Sequence, residues 1–452
     1  MKQQDQFFKT VCGIAIPVTF QSMLQSSFSV IDQIMIGQLG STGVAAVGLA
    51  GKFSSVFSVV VSAVGAVAGI MISQYMGQQN QREEKRSFSV NLWISACIAM
   101  LFMLLCLLMP GQIMGLYTKD QETCDLAAGY LRIIGLTFLP IAGTTMFATL
   151  FRCMEKASLP LYAGMIAALM NTILNYILIF GKLGIEPLGV YGAAIATVIS
   201  QFASFMIMYL LYRVYCKREK DSSEFEKSRF QWKQYGIMLF PILICEFMWS
   251  LGENIYAGIY GHLGTMSCAA MTLINPIQSL MIGALCGLSQ AAGVIIGKLL
   301  GKKEMEEAYN GSKKLMLYGW CGSLVLSVLI LITRSFYVNI YQVELNVKML
   351  TSQILIAYAV IAPFKVQNMI LGGGILRSGG KTDYVMWIDL MGTWIFGVPL
   401  GMLAAFVWKL QIPYVYFILS LEECMRYLVS LIVFKRKGWM QQLKAVKDTK
   451  SA

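Results

Sequence analysis

The chain has 452 residues, of which 57% are hydrophobic and only 13% are charged, and its mean hydropathy is +0.63. Because soluble domains carry about 25% charged residues, this composition excludes an ordinary soluble domain and favours a membrane protein. The net charge of +12 does not indicate a nucleic-acid partner, since the Lys and Arg residues are concentrated in short connectors between apolar runs.

Apolar runs long enough to cross a membrane recur along the whole chain. A spanning helix needs about 20 predominantly apolar residues. We predict twelve such helices, at 11–36, 52–76, 88–110, 126–151, 160–181, 190–212, 236–260, 272–297, 315–333, 350–375, 384–408 and 412–434.

The second half of the chain repeats the first at an offset of about 224 residues. Pro17 then aligns with Pro241, and Gly77 aligns with Gly301. Each half holds an even number of spans, so both halves enter the membrane from the same side, as in a parallel repeat. The sequence therefore predicts an all-α polytopic membrane protein of about twelve transmembrane helices, in two pseudo-symmetric six-helix bundles with a central cavity.

The connectors define four segments and an orientation. We predict a first bundle at 1–212, a cytoplasmic linker at 213–234, a second bundle at 235–434 and a basic cytoplasmic tail at 435–452. Of the 36 Lys and Arg residues, 27 lie on the side of the two termini and only six lie in the opposite connectors. The positive-inside rule then predicts that both termini of this inner-membrane protein lie in the cytoplasm.

Polar residues in the first half are candidates for a cation site, because an acid at membrane depth costs about 2.5–3.5 kcal/mol unless it has a function or a partner. Asp32 lies in the first predicted span with no basic residue near it in sequence. Asn171 and Asn175 are spaced i, i+4 in the fifth span and share one helix face, and Thr197 lies in the sixth span. Amide and hydroxyl oxygens around one carboxylate suit Na⁺ or a protonatable acid. Two alternatives stay open: Asp32 leans into the interface, or the amides only hold helices together.

Acidic and aromatic residues in the second half are candidates for a substrate cavity. Glu246 and Glu253 are two helical turns apart in the seventh span, Trp249 and Tyr256 follow the same stripe, and Asp389 lies in the eleventh span. A wall of this kind would hold an organic cation by charge and cation–π attraction. The alternative is that the aromatic side chains only pack against other helices.

The prolines, the histidine and the cysteines of the chain give a candidate helix kink and argue against an enzyme. Pro17 in the first span is a candidate kink or gate, because proline removes a helical hydrogen bond. The chain has one histidine, His262, and eleven cysteines without metal-ligand spacing. We therefore predict no catalytic residue, no enzyme activity and no cofactor other than a coupling ion, Na⁺ or H⁺.

Several segments resemble the bacterial branch of the multidrug and toxic compound extrusion (MATE) transporters, over nearly the whole chain. They are PVTFQSMLQSSFSVIDQIMIGQLG in the first span, the loops FRCMEKASLP and LRSGGKTD, and NTILNYILIFGKLGIEPLGVYGAAIATVISQ over the fifth and sixth spans. The resemblance implies a secondary active efflux antiporter that exports organic cations or amphipathic compounds in exchange for Na⁺ or H⁺ by alternating access. It also implies that the cation site is Asp32, Asn171, Asn175 and Thr197, and that Pro17 forms the kink.

The expected partners are a small cationic organic substrate and the lipid bilayer, with no nucleic acid, and the expected state is a monomer. Some family members use acids in the seventh and tenth spans for sodium. Here the tenth span has Lys365 and Gln367 instead, so Glu246 is kept as a substrate-site candidate only. The alternative function is a flippase for lipid-linked oligosaccharide, of the same wider superfamily. Only Arg132, Lys365 and Arg426 lie within spans to meet a pyrophosphate.

Overall fold

The computed structural model describes residues 2–216, 230–341 and 343–443. Most of the predicted linker and tail therefore lies outside the described residues. Within them the chain is almost entirely helical, with twelve long helices: α1 (Lys2–Gly37), α2 (Gly40–Gly77), α3 (Gln81–Leu108), α4 (Gln121–Cys153), α5 (Ser158–Phe180), α6 (Gly189–Cys216), α7 (Trp232–His262), α8 (Thr265–Gly301), α9 (Met305–Ile340), α10 (Leu345–Leu376), α11 (Thr382–Val407) and α12 (Ile412–Lys435).

Eleven of these helices are long and apolar enough to cross a membrane, among the residues described. The remaining helix, α12, has 24 residues but carries Glu422, Glu423 and Arg426 near its middle. The predicted all-α polytopic membrane fold is confirmed. The helix ends were predicted less well: α9 extends well beyond the predicted span at 315–333, because polar residues continue a helix past its apolar run.

By internal contacts the chain divides into two compact units. The N-terminal unit comprises Phe20–Ile72 and Gln81–Ser228. The C-terminal unit comprises Met1–Thr19, Ser73–Asn80 and Arg229–Ala452. Helices α1 and α2 thus contribute to both units, and α1 passes from one to the other just after its internal proline. The predicted bundle boundaries stay a prediction.

Helices α5 and α6 of the N-terminal unit form a tightly packed hairpin. At Gly192 on α6, a Cβ atom would lie 2.7 Å from the backbone oxygen of Leu178 on α5, so only glycine allows the two backbones to come this close. The turn between them begins at Gly181, whose φ of +67° lies in the left-handed region that favours glycine. This close approach brings the polar residues of α5 against those of α6.

In the C-terminal unit, residues 436–443 follow α12 and fold back over the ends of other helices; we call them the C-terminal strap. The indole of Trp439 in the strap is fully buried. Gln74, at the end of α2, is also buried; its Nε2 donates to the backbone oxygen of Gln441 at 3.2 Å, and its Oε1 accepts from the backbone nitrogen of Leu443 at 2.7 Å. The strap therefore completes the hydrogen bonds of a buried polar side chain, whose Nε2 also donates to the backbone oxygen of Ser378 at 2.7 Å.

Two glycines that align in the internal repeat lie at the crossing of the ends of α2 and α8. A Cβ atom on Gly77 would lie 2.1 Å from the backbone oxygen of Lys298, and one on Gly301 would lie 2.1 Å from the backbone oxygen of Gln74. No larger residue fits at either position without displacing the other helix. The repeated glycines thus serve one function, which is close backbone packing.

Candidate cation and substrate sites

The predicted residues of the first half come together in the N-terminal unit. Asn175 is 1% exposed, and its Nδ2 donates to Oδ1 of Asp32 at 2.7 Å. The same amide nitrogen lies 3.2 Å from Oδ1 of Asn171, and Nδ2 of Asn171 lies 3.3 Å from Oγ1 of Thr197. Four side chains from α1, α5 and α6 therefore form one polar cluster around a single carboxylate.

The amide of Asn171 fits its surroundings in a second orientation. When it is turned by 180°, its nitrogen donates to Oδ1 and Oδ2 of Asp32 at 3.1 and 3.2 Å, and its oxygen accepts from Thr197 Oγ1 at 3.3 Å. In this orientation the Asn171 nitrogen is a second amide donor to the carboxylate, beside that of Asn175. The arrangement is able to steady an anionic acid or to present oxygen ligands to a cation.

The electrostatics of this cluster are simple. Among the described residues, no Lys or Arg nitrogen forms an ion pair with Asp32, whose carboxylate is held only by neutral donors. The oxygen Oδ1 of Asn175 is buried and accepts no hydrogen bond from the described part of the protein. An unpaired carboxylate beside an unsatisfied amide oxygen has the chemistry that suits a proton or a small monovalent cation. Within the described ranges, no group of three or more His, Cys, Asp or Glu forms a transition-metal site.

The acids predicted in the second half are paired with arginines. Glu246 Oε1 lies 3.6 Å from Arg377 NH1, and Asp389 Oδ1 lies 3.8 Å from Arg426 NH1. Cys245 links the two pairs: its Sγ donates to Asp389 Oδ2 at 2.8 Å and lies 3.4 Å from Arg377 NH2. These acids are therefore neutralised within the C-terminal unit.

The predicted stripe on α7 does not stay together in the structure. Trp249 is 46% exposed, whereas Tyr256 is 5% exposed and its hydroxyl donates to Glu422 Oε2 at 2.5 Å. Glu253 lines a cavity together with Tyr256, and Glu246 is not among the residues that line it. Residues spaced by seven positions drift around a straight helix by about 20° per heptad, so one stripe faces several neighbours.

Sequence reasoning missed the charged centre of α12. Arg426 NH2 lies 3.6 Å from Glu422 Oε1 and donates to Thr393 Oγ1, and Arg426 NH1 lies 3.9 Å from Glu423 Oε2. Lys365 Nζ lies 4.0 Å from Glu423 Oε1. The sequence does indicate this cluster, because two adjacent acids with one arginine three and four positions after them are rare inside a membrane span.

The chain is similar in sequence and in structure to known membrane proteins. The MatE family model matches residues 17–177 and 241–403. The multidrug resistance protein MdtK of Yersinia enterocolitica is 23% identical over 407 residues, which cover 87% of each chain. A crystal structure of a mutant of the Vibrio cholerae MATE transporter VcmN superposes with a TM-score of 0.88 at 17% identity, covering 97% of this chain and 100% of that one.

A transporter of the MOP superfamily from Pyrococcus furiosus is also similar, with a TM-score of 0.85, 17% identity and 96% of each chain covered. The described residues form a helical membrane fold of two units, each with polar side chains among its helices. The family model matches more than half of the chain, in two segments that begin at the two repeat-related prolines. The chain belongs to the MatE family, the multidrug efflux transporters of the MATE type, and it is therefore a transporter and not an enzyme.

Proposed function

We propose that the protein is a secondary active antiporter that exports organic cations or amphipathic compounds while Na⁺ or H⁺ enters, and that the entering ion binds at Asp32. The observation that carries the proposal is the Asp32 carboxylate, which hydrogen-bonds to Asn175 at 2.7 Å and has no basic partner among the described residues. An acid steadied only by neutral groups gains and releases a positive charge without leaving a buried arginine or lysine unpaired.

The energetics suit this role. One elementary charge that moves inward down 100 mV releases about 2.3 kcal/mol, before any concentration gradient is added. Coupling follows if the ion and the exported compound stabilise states open to opposite sides, because each ligand then shifts the equilibrium that the other opposes. The two amides suit either ion: their nitrogens donate to the ionised carboxylate, and the buried oxygen of Asn175 is available to a cation.

The orientation and the cellular setting are part of the proposal. The excess of Lys and Arg on the side of the termini favours both termini in the cytoplasm. The similarity to the MdtK proteins favours the bacterial inner membrane. We propose that the unit of transport is the monomer and that the exported compound carries a positive charge.

A lipid-linked oligosaccharide flippase is not favoured. Such a protein would need free basic groups to meet a pyrophosphate, but Arg377 pairs with Glu246, and Arg426 pairs with Glu422. These arginines are already compensated within the C-terminal unit. Among the described residues, the one ammonium group in the cavity of that unit, Lys365, faces three glutamates, which would repel a pyrophosphate.

The test is Asp32→Asn in proteoliposomes, with a Na⁺ gradient and a pH gradient imposed separately. We expect the wild type to drive efflux of a fluorescent organic cation with at least one of the two gradients, and the variant to lose gradient-driven efflux. The dependence on each gradient identifies the coupling ion.

Glu186→Gln is the matched control, because Glu186 is an exposed acid in the turn between α5 and α6. It should transport like the wild type. Full gradient-driven efflux by Asp32→Asn would remove Asp32 from the coupling mechanism.

A further inference from the structure

A second polar space lies wholly inside the C-terminal unit, away from Asp32. It is a cavity of about 330 Å³ between α7, α8, α10 and α12. That volume is at the lower end of the range for small-molecule sites in proteins. Its wall is unusual for a membrane helix bundle, because three carboxylates, one ammonium group and several tyrosines face it: Glu253, Glu422, Glu423, Lys365, Tyr260 and Tyr416.

Two of the three carboxylates are already satisfied by the protein. Glu422 accepts from the Tyr256 hydroxyl at 2.5 Å and lies 3.6 Å from Arg426. Glu423 accepts from Asn368 Nδ2 at 2.8 Å and also faces Arg426 at 3.9 Å. Both side chains are less than one tenth exposed, so they are fixed parts of the wall and have little capacity left for a ligand.

Two opposite charges in the cavity wall lack such partners. The Lys365 ammonium approaches Glu423 only to 4.0 Å, which is longer than a hydrogen bond, and its side chain is 31% accessible. The exposed carboxylate of Glu253 has neither a hydrogen bond nor an ion pair with the described residues. Glu253 lies within electrostatic range of both Lys365 and Tyr416, so the two unmet charges face the same space.

We propose that this cavity binds a small zwitterion, with its ammonium group at Glu253 and its carboxylate at Lys365. A ligand with both charges satisfies both unmet groups at once, whereas a simple cation meets the like charge of Lys365 and a simple anion meets three glutamates. Tyr260 and Tyr416 also line the cavity, and tyrosine rings are among the groups that attract an ammonium by cation–π interaction. Every residue of the site lies in the C-terminal unit, so the proposal does not depend on ion coupling at Asp32.

The test uses the full-length protein in nanodiscs and two matched sets of probes at pH 7. The first set is L-phenylalanine, phenethylamine and 3-phenylpropionate, which carry both charges, the positive charge only and the negative charge only. The second set, 4-(aminomethyl)benzoate, benzylamine and benzoate, places the two charges farther apart. Affinity is measured from the concentration dependence of the thermal unfolding midpoint.

We expect the zwitterion of at least one set to bind about tenfold or more tightly than both of its singly charged analogues, as for a charge-assisted hydrogen bond. Lys365→Met should reduce the zwitterion to the affinity of its amine analogue. Glu253→Gln should reduce it to the affinity of its acid analogue. Lys348→Met, near the N-terminal end of α10, is the control and should leave the preference for the zwitterion unchanged.

Equal binding of an amine and its zwitterion by the wild type would overturn the proposal, as would the absence of binding in both sets. A zwitterion preference that survives both variants would also overturn it. The same measurements on Asp32→Asn should match the wild type, so a failure here is distinguishable from a failure of ion coupling at Asp32.

Discussion

The two units place acids at membrane depth in opposite electrostatic settings. In the N-terminal unit, Asp32 is held by the neutral side chain of Asn175. In the C-terminal unit, Arg426 forms ion pairs with both Asp389 and Glu422. An acid that is hydrogen-bonded to neutral amides can bind and release a cation without breaking an ion pair. An acid that is paired with a buried arginine would leave that arginine unpaired if it bound another cation. One repeated helical frame thus carries a carboxylate held by neutral amides in one copy and a network of ion pairs in the other.

The strongest test of this contrast removes the central cation of the network. Arg426→Met leaves Asp389, Glu422 and Glu423 close together without their shared partner, and Arg426 is only 8% exposed. Loss of one partner of a buried ion pair costs about 3–5 kcal/mol, so we expect a much lower unfolding midpoint and a low yield of folded protein. Thermal unfolding of the purified variant in detergent measures the effect.

Arg436→Met, just after α12, is the control for the loss of a positive charge, because Arg436 is exposed. It should unfold near the wild-type midpoint. If Arg426→Met were as stable as this control, the network would not be the fixed element that distinguishes the C-terminal unit.

A smaller effect is expected when the neutral donor in the other unit is removed. Asn175→Leu keeps a similar volume but deletes the 2.7 Å hydrogen bond to Asp32 and the buried amide oxygen. An interaction with a charged group contributes about 1.5–3 kcal/mol, so loss of the amide oxygen should lower the apparent affinity for Na⁺ about 10- to 100-fold. If the coupling ion is H⁺, the apparent proton affinity should rise instead, because the lost hydrogen bond stabilises the ionised carboxylate. Efflux measured against the concentration of the coupling ion gives this affinity.

Thr172→Ala is the matched control on the same helix, because its hydroxyl donates only to the backbone oxygen of Ala168. Its ion dependence should equal that of the wild type. An unchanged ion affinity in Asn175→Leu would mean that the amide does not take part in ion binding.

The mildest test extends the comparison to an acid outside the membrane spans. Asp120 is the residue just before α4. Its carboxylate accepts hydrogen bonds from the hydroxyl of Thr123 and from the backbone nitrogen of Thr123, the latter at 3.1 Å. These hydrogen bonds hold the pKa of the Asp120 carboxyl below its usual value. The folded protein therefore gains stability from the ionised carboxylate at neutral pH. That gain should disappear as the pH falls through the lowered pKa.

We expect Asp120→Ala to lower the unfolding midpoint slightly at pH 7, and the difference from the wild type to shrink towards zero in acid. A pH series of thermal unfolding curves measures this, with Glu186→Ala as the exposed control. A difference that is independent of pH would assign the effect to helix propensity and not to the ionised cap.

The sequence was sufficient to predict the helical frame and the grouping around Asp32. Apolar runs of spanning length report helices directly, and the i, i+4 spacing of Asn171 and Asn175 places both amides on one face. That Asp32 on α1 and Thr197 on α6 join these amides can be predicted only when the packing of the three helices is known. The family resemblance supplied that information.

The charged centre of the second half was not predictable in the same way. Glu246 pairs with Arg377 and Lys365 approaches Glu423, and these partners lie on different helices far apart in the sequence. Which acid meets which base depends on the order and rotation of packed helices, and no local spacing encodes either quantity. The clustering of Glu422 and Glu423 with Arg426 on α12 was local and could have been recognised.

The C-terminal strap also has a consequence for the order of events during synthesis. The side chain of Gln74 receives its hydrogen bond from Leu443, 369 positions later in the chain. At about 5–20 residues per second, a ribosome needs roughly 20 to 70 seconds to make the intervening segment. Nε2 of Gln74 also donates to the backbone oxygen of Ser378, just after α10, but the hydrogen bond from Leu443 to its Oε1 forms only when the strap has followed α12. The packing of this end of the protein is therefore completed only after the last helix has been made.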